Sequence, residues 1–232
     1  LVAFSTWESP PLPEVLRDMN KWSNNVMARQ IFLALGADGG PQSSDKSLTR
    51  LQTWMSAQGL DATQWIVENG SGLSRNERST AAQLGTLLRS AWRSPRMPEF
   101  VMGLPVIGKD GTMRSRLIDT PLAGRGYVKT GTLDGVKSAA GYVLDAQGHW
   151  QAFALILNHP KAPGAEAVQG DEKTRNRVRF AVEQWVAAMS PSSVFIWVST
   201  RLGGNSNCTI LSRASSRFFC AMLLLRLVRL WM

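Results

Sequence analysis

Cysteine and histidine are both scarce, with two of each in 232 residues. Cys208 and Cys220 are too few for a disulfide scaffold or a cysteine zinc site. His149 and His159 are too few for a histidine-rich metal centre and read as surface residues. No run of 18 apolar residues occurs, so no membrane-spanning helix is expected. Acidic residues are missing altogether from 190–232, where five arginines lie (201, 213, 217, 226 and 229). Without that tail the chain has 21 basic against 17 acidic residues, so most of the formal charge of +9 is local. No Lys/Arg stripe and no nucleic-acid-binding motif stands out, so nucleic acid is not an expected partner. The chain does not begin with methionine and shows no signal-peptide pattern, and it reads as a fragment or processed piece.

What is present is enough apolar sequence to bury a core: 44% hydrophobic against 19% charged. Helical periodicity predicts Glu14–Lys21, then a turn at Ser23-Asn24-Asn25, then an apolar helix from Val26 to Leu35. After a polar loop from Asp38 to Asp45, Ser47 is expected to cap a helix carrying Leu48, Leu51, Trp54 and Met55. Gln64–Glu68 reads as a short strand. Ser79 is expected to start a helix with Leu84, Leu87, Leu88 and Trp92, and 95–125 reads as loop. Three strands follow, Tyr127–Leu133, Ser138–Leu144 and Trp150–Asn158. The first two are joined by the tight Asp134-Gly135 turn. Thr174–Met189 has an amphipathic helical pattern. Helices before and after an antiparallel meander imply an α+β layered domain. The nine tryptophans are scattered and read as packing residues rather than stacking platforms.

Two short motifs carry chemistry. Lys129-Thr130-Gly131-Thr132 lies on a strand just before the hairpin. A cation and a hydroxyl there can hold a carboxylate, Gly131 leaves room for another backbone at the strand edge, and a nearby N–H can stabilise an oxyanion. Alone, the tripeptide is equally an ordinary strand segment with a solvated lysine. Ser23-Asn24-Asn25 sits at a helix junction. A hydroxyl two residues from an amide can relay a proton and hold a substrate amide, although such residues also simply favour turns and caps.

Their order and surroundings give the pair more weight. Met19–Gln30, Asn69-Gly70-Ser71-Gly72-Leu73-Ser74-Arg75, Leu104–Gly108 and Tyr127–Val136, taken together, resemble the D-alanyl-D-alanine carboxypeptidase/endopeptidase family of penicillin-binding protein 4. The resemblance runs over about residues 1–188. It implies the β-lactamase/transpeptidase-like fold and a serine-type peptidase acting on peptidoglycan stem peptides that end in D-Ala-D-Ala. Ser23 would pass a proton to the leaving amine. Asn25 would bind the penultimate amide. Lys129 would set the field, Thr130 would bind the terminal carboxylate, and the N–H of Thr132 would form half of the oxyanion hole. No metal or organic cofactor is implied, and the family's location implies the periplasm.

One motif of that family is out of place. The acylated serine should belong to a Ser-x-x-Lys motif upstream of Ser23, and none exists there. The one match, Ser43-Ser44-Asp45-Lys46, lies downstream in an expected polar loop with no helix to aim the hydroxyl. The chain alone is therefore expected to be inactive, and β-lactams would be partners only if the nucleophile segment were restored; a non-catalytic peptide- or partner-binding remnant is the alternative. Residues 1–189 form the C-terminal part of the domain and 190–232 an atypical tail that need not fold. Phe218–Met232 has the length of a membrane-surface anchor but a poor polar face, which favours an out-of-frame extension.

Overall fold

The computed structural model describes residues 5–144, 148–158, 196–201 and 209–211. Five helices come first: α1 Leu12–Trp22, α2 Asn25–Leu35, α3 Ser44–Ala57, α4 Ala81–Arg93 and α5 Met97–Met102. Five strands follow: β1 Gly126–Leu133, β2 Val136–Leu144, β3 Trp150–Asn158, β4 Ile196–Arg201 and β5 Thr209–Leu211. They form one antiparallel sheet in sequential order, β1-β2-β3-β4-β5. The architecture is α+β, as the alternation of patterns implied. Two segments of the tail, β4 and β5, are thus part of the sheet.

The sheet's two faces do different work. Leu133 pairs with Val136 across Asp134-Gly135, and this fixes the register back to Gly126–Val143. Val136, Ala140 and Tyr142 therefore share the face that meets the helices. They join Leu16 and Met19 of α1, Phe32 of α2 and Leu84 and Leu88 of α4 in the main core. Tyr142 anchors this contact: its hydroxyl donates to the Leu88 carbonyl at 2.6 Å, and its ring lies 5.0 Å from that of Trp92. On the opposite face Val128 and Phe153 meet Ile107 and Met113 in a second, smaller core.

Local chemistry moved several boundaries. The cap of α3 is Ser43, not Ser47, because the Ser43 hydroxyl accepts the Lys46 N–H. Ser47 is buried inside the helix, donating to the Ser43 carbonyl. Likewise Thr80, not Ser79, caps α4 by accepting the Gln83 N–H. The strand expected at Gln64–Glu68 is only a single bridge, Ile66 to Arg78. Asp61 accepts hydrogen bonds from Thr63 and Gln64 and winds Ala62–Gln64 into a 3-10 turn instead. Within the expected 95–125 loop, α5 and a 3-10 turn at Gly111–Met113 form. Trp54 and Trp65 are buried, but Trp7 and Trp22 are 93% and 61% exposed, so not every tryptophan packs. His149 is exposed. The Thr174–Met189 helix, His159 and both cysteines lie outside the described residues. No helix among the described residues is long and apolar enough to cross a membrane.

Candidate active site

The end of α1 and the edge of β1 meet at one point. Ser23 terminates α1 in a left-handed conformation, φ 55° and ψ 46°. For a residue with a Cβ this conformation costs about 1–3 kcal/mol and needs support from its surroundings. Asn24 then caps α2 by accepting the Met27 N–H at 3.0 Å, so the chain turns sharply and presents the Ser23 side chain between two helices. Lys129 lies on the helix-facing side of β1, in register with Ala140. Its ammonium nitrogen donates to Ser23 Oγ at 2.8 Å, across 106 residues of sequence.

Two further contacts hold that meeting point. Lys21 Nζ pairs with Asp110 Oδ2 at 2.5 Å, while Asp110 Oδ1 accepts the Val106 N–H at 2.7 Å. The Val106 segment is itself bonded to β1, with Ile107 N–H on the Gly126 carbonyl and Val128 N–H on that of Pro105. Asp110 thus ties α1 to β1 beside Ser23. Gly111 must come close as well: its φ is +53°, and a Cβ would lie 2.4 Å from the Lys21 carbonyl oxygen.

The edge of β1 is half covered. Because Gly126 and Val128 bond outward to 105–107, strand alternation points the peptide groups of Thr130 and Thr132 outward too. Beyond Val128 no described residue pairs as a strand with that edge. An extended peptide can add there as a further strand, with the Thr132 N–H facing it. Lys129 Nζ also donates to the Thr130 carbonyl at 2.8 Å. Gly131 sits in register with Ser138, where β1 stays thin. Thr130 is half-buried, Thr132 exposed, and Asn25 half-buried at the first turn of α2.

Electrostatics at this point are unusual. Lys129 is fully buried, at 0% exposure. Burial, and secondarily the positive charge of Arg116, lower its pKa from 10.5 to about 7. An amine poised there can accept and return a proton at neutral pH. Burial followed by the Arg116 charge also lowers the Lys137 pKa. Lys137 Nζ donates to Thr132 Oγ1 at 3.0 Å. Arg116 and Lys137 were not singled out in the sequence. For Lys137 the two-residue hairpin contained the signal, since it sets Thr132 opposite residue 137. For Arg116, in an irregular loop, no sequence signal pointed to the site.

Ser43 does not join the site's chemistry as a nucleophile. Its hydroxyl is occupied as the cap of α3. The Lys46 amine that should activate it is held by Asp38 Oδ2 at 2.8 Å and by the Pro41 carbonyl. A helix is present after all, but the lysine is committed elsewhere. Asn69-Gly70-Ser71-Gly72 is built independently of it. Buried Glu77 accepts the N–H groups of Glu68, Asn69 and Gly70, and Arg29 donates to the Asn69 carbonyl. Arg75 then donates to the Asp134 carbonyl of the hairpin turn at 3.3 Å.

Comparison with known proteins identifies the family. The sequence model of the D-Ala-D-Ala carboxypeptidase 3 (S13) family matches residues 3–180. The chain belongs to that family. Carboxypeptidase DacB of Mycolicibacterium smegmatis is 36% identical over 169 residues, which cover 69% of this chain and 36% of that protein. The crystal structure of penicillin binding protein 4 (dacB) from Haemophilus influenzae aligns with a TM-score of 0.65 at 26% identity. It covers 77% of this S13 chain and 40% of the other. The chain thus spans about a third of the length of the curated relatives it matches. A stretch of 42 residues, 18% of the chain, is also 50% identical to the poly(3-hydroxyalkanoate) polymerase subunit PhaC of Cupriavidus necator. That share is too small to name a second family.

Proposed function

We propose that this chain carries the proton-transfer and carboxylate-binding part of a periplasmic serine-type D-Ala-D-Ala carboxypeptidase. The observation that carries the reading is the 2.8 Å contact between buried Lys129 and Ser23. A peptide ending in D-Ala-D-Ala would lie along the open edge of β1. Thr130 would receive its terminal carboxylate and Gly131 would admit its backbone. Asn25 would bond the penultimate amide, and the Thr132 N–H would face the reacting carbonyl. As the scissile C–N bond breaks, Ser23 would give its proton to the leaving amine and take a replacement from Lys129. The acyl-accepting serine would come from a Ser-x-x-Lys segment other than Ser43–Lys46. A fusion of the Haemophilus relative's upstream half to this chain tests the reading with fluorescent penicillin. Covalent labelling is the expected result, and a folded but unlabelled fusion would count against it.

A second reading covers the chain by itself. The engagement of Lys46 by Asp38 supports binding without turnover. Saturable binding of a D-Ala-D-Ala peptide, lost in Thr130→Val, with no release of D-alanine, is its signature. Release of D-alanine by the isolated chain contradicts it.

A further inference from the structure

We propose that Asp110 is a positioning residue of the proton relay: through its ion pair with Lys21 it holds the end of α1 at the distance from β1 at which Ser23 and Lys129 meet. The inference rests on the carboxypeptidase reading above and adds Lys21 and Asp110 to it as supports of the relay.

The contacts close a ring. On β1, Lys129 follows Val128, whose N–H donates to the Pro105 carbonyl. Val106 bridges Tyr127, and the Ile107 N–H donates to the Gly126 carbonyl, so 105–107 runs as a short extra strand beside the first half of β1. The Val106 N–H donates to Asp110 Oδ1 at 2.7 Å, and the N–H groups of Lys109 and Asp110 return to the Val106 carbonyl. That tight turn leaves the second carboxylate oxygen, Oδ2, for Lys21 Nζ at 2.5 Å. Lys21 lies in the last turn of α1, two residues before Ser23. Ser23 Oγ closes the ring by accepting from Lys129 at 2.8 Å.

Two side-chain bonds in this ring cross from α1 to the β1 side, Lys21 to Asp110 and Lys129 to Ser23, and each steadies the other. Ser23 needs that support, because φ 55° is costly for a residue with a Cβ. The same loop also presses on the helix end with its backbone. A Cβ on Gly111 would lie 2.4 Å from the Lys21 carbonyl oxygen and 3.2 Å from its Cα. The Lys21 side chain is only 12% exposed, so the pair is less screened than one lying wholly on the surface. Burial first, and then the charge of Arg116, hold the Lys129 pKa down. A change at Asp110 therefore reaches that amine through position rather than through charge.

The test titrates the full chain, carrying lysine labelled with carbon-13 at Cε, by NMR. The Lys129 signal is assigned by its loss in Lys129→Met. Asp110→Asn keeps an acceptor for the Val106 N–H and removes the ion pair; Lys21→Met removes it from the other side. Each should admit water to Lys129 and raise its midpoint by about one pH unit, toward that of an exposed lysine. The double variant should move it no further than either single one, because both remove the same contact. Asp110→Glu should keep most of the wild-type midpoint. Lys137, at the hairpin end of β2, should not move in any of them. An unmoved or lowered Lys129 midpoint would overturn the inference, and so would an equal shift at Lys137, which would mean general loosening. The same two single variants, placed in the fusion with the Haemophilus relative's upstream half, should slow labelling by fluorescent penicillin about tenfold. If Asp110→Asn labels at the full rate, the positioning role fails and the carboxypeptidase reading survives. If the wild-type fusion is not labelled, that reading fails and the relay role fails with it.

Discussion

Replacing Lys129 with methionine should uncouple the stability of the fold from pH in the neutral range. The wild-type amine is fully buried and titrates at about 7, against 10.5 when exposed. Between those values the unfolded chain holds a proton that the folded chain has released. Stability therefore rises with pH across this window and is lost as pH falls toward 7. One proton contributes at most ~1.4 kcal/mol per pH unit, or roughly 2–3 kcal/mol between pH 7 and 9. Below pH 7 both states hold the proton and the slope flattens. Lys129→Met fills similar volume and gives up the bonds to Ser23 and Thr130, a cost of about 1–2 kcal/mol that does not vary with pH. Other titrating groups are common to both proteins and cancel in the difference. Urea unfolding followed by tryptophan fluorescence at pH 6, 7, 8 and 9 measures it. The stability of the variant relative to wild type should fall by roughly 2–3 kcal/mol from pH 7 to 9. A difference that stays constant over that range would refute the buried, near-neutral amine and the proton relay built on it.

Other consequences concern the supports of the site. Gly111→Ala forces a Cβ to 2.4 Å from the Lys21 carbonyl at φ +53°, and should destabilise the chain by at least ~2 kcal/mol in urea. An unchanged midpoint would mean that the α1 end is not held as described. Glu77 has its pKa raised, chiefly by burial, so its contribution is fully present at acid pH and is lost as pH rises through the folded-state pKa. Glu77→Gln keeps an acceptor for the 68–70 N–H groups but carries no charge. It should be more stable than wild type at pH 7.5, and the gap should close on acidification. A gap that widens at low pH would reverse the sign of that reasoning.

Much of this was legible in the sequence because it depended on local patterns. The Asp134-Gly135 turn fixed a register, and every strand pairing from Gly126 to Val143 followed from it. Ser23 and Lys129 were each ambiguous alone, and only the fold brings them within 2.8 Å. Caps were misplaced by one to four positions where neighbouring hydroxyls competed. At Ser43 and Ser47 either hydroxyl suits a cap; in the fold Ser43 accepts the Lys46 N–H while Ser47 is buried beside Gly36. The aspartate at 110 and the arginine at 116 were invisible because their roles arise in an irregular loop with no periodicity. Lys46 matched a catalytic spacing, yet Asp38, eight residues earlier, takes its amine.

The most direct measurement is the intact mass of the folded chain after incubation with benzylpenicillin. The committed Lys46 and the absence of another Ser-x-x-Lys in the sequence lead to an unchanged mass. An added penicilloyl group would contradict this, place an acylating serine within these residues, and require Ser43 to leave its cap and Lys46 to leave Asp38.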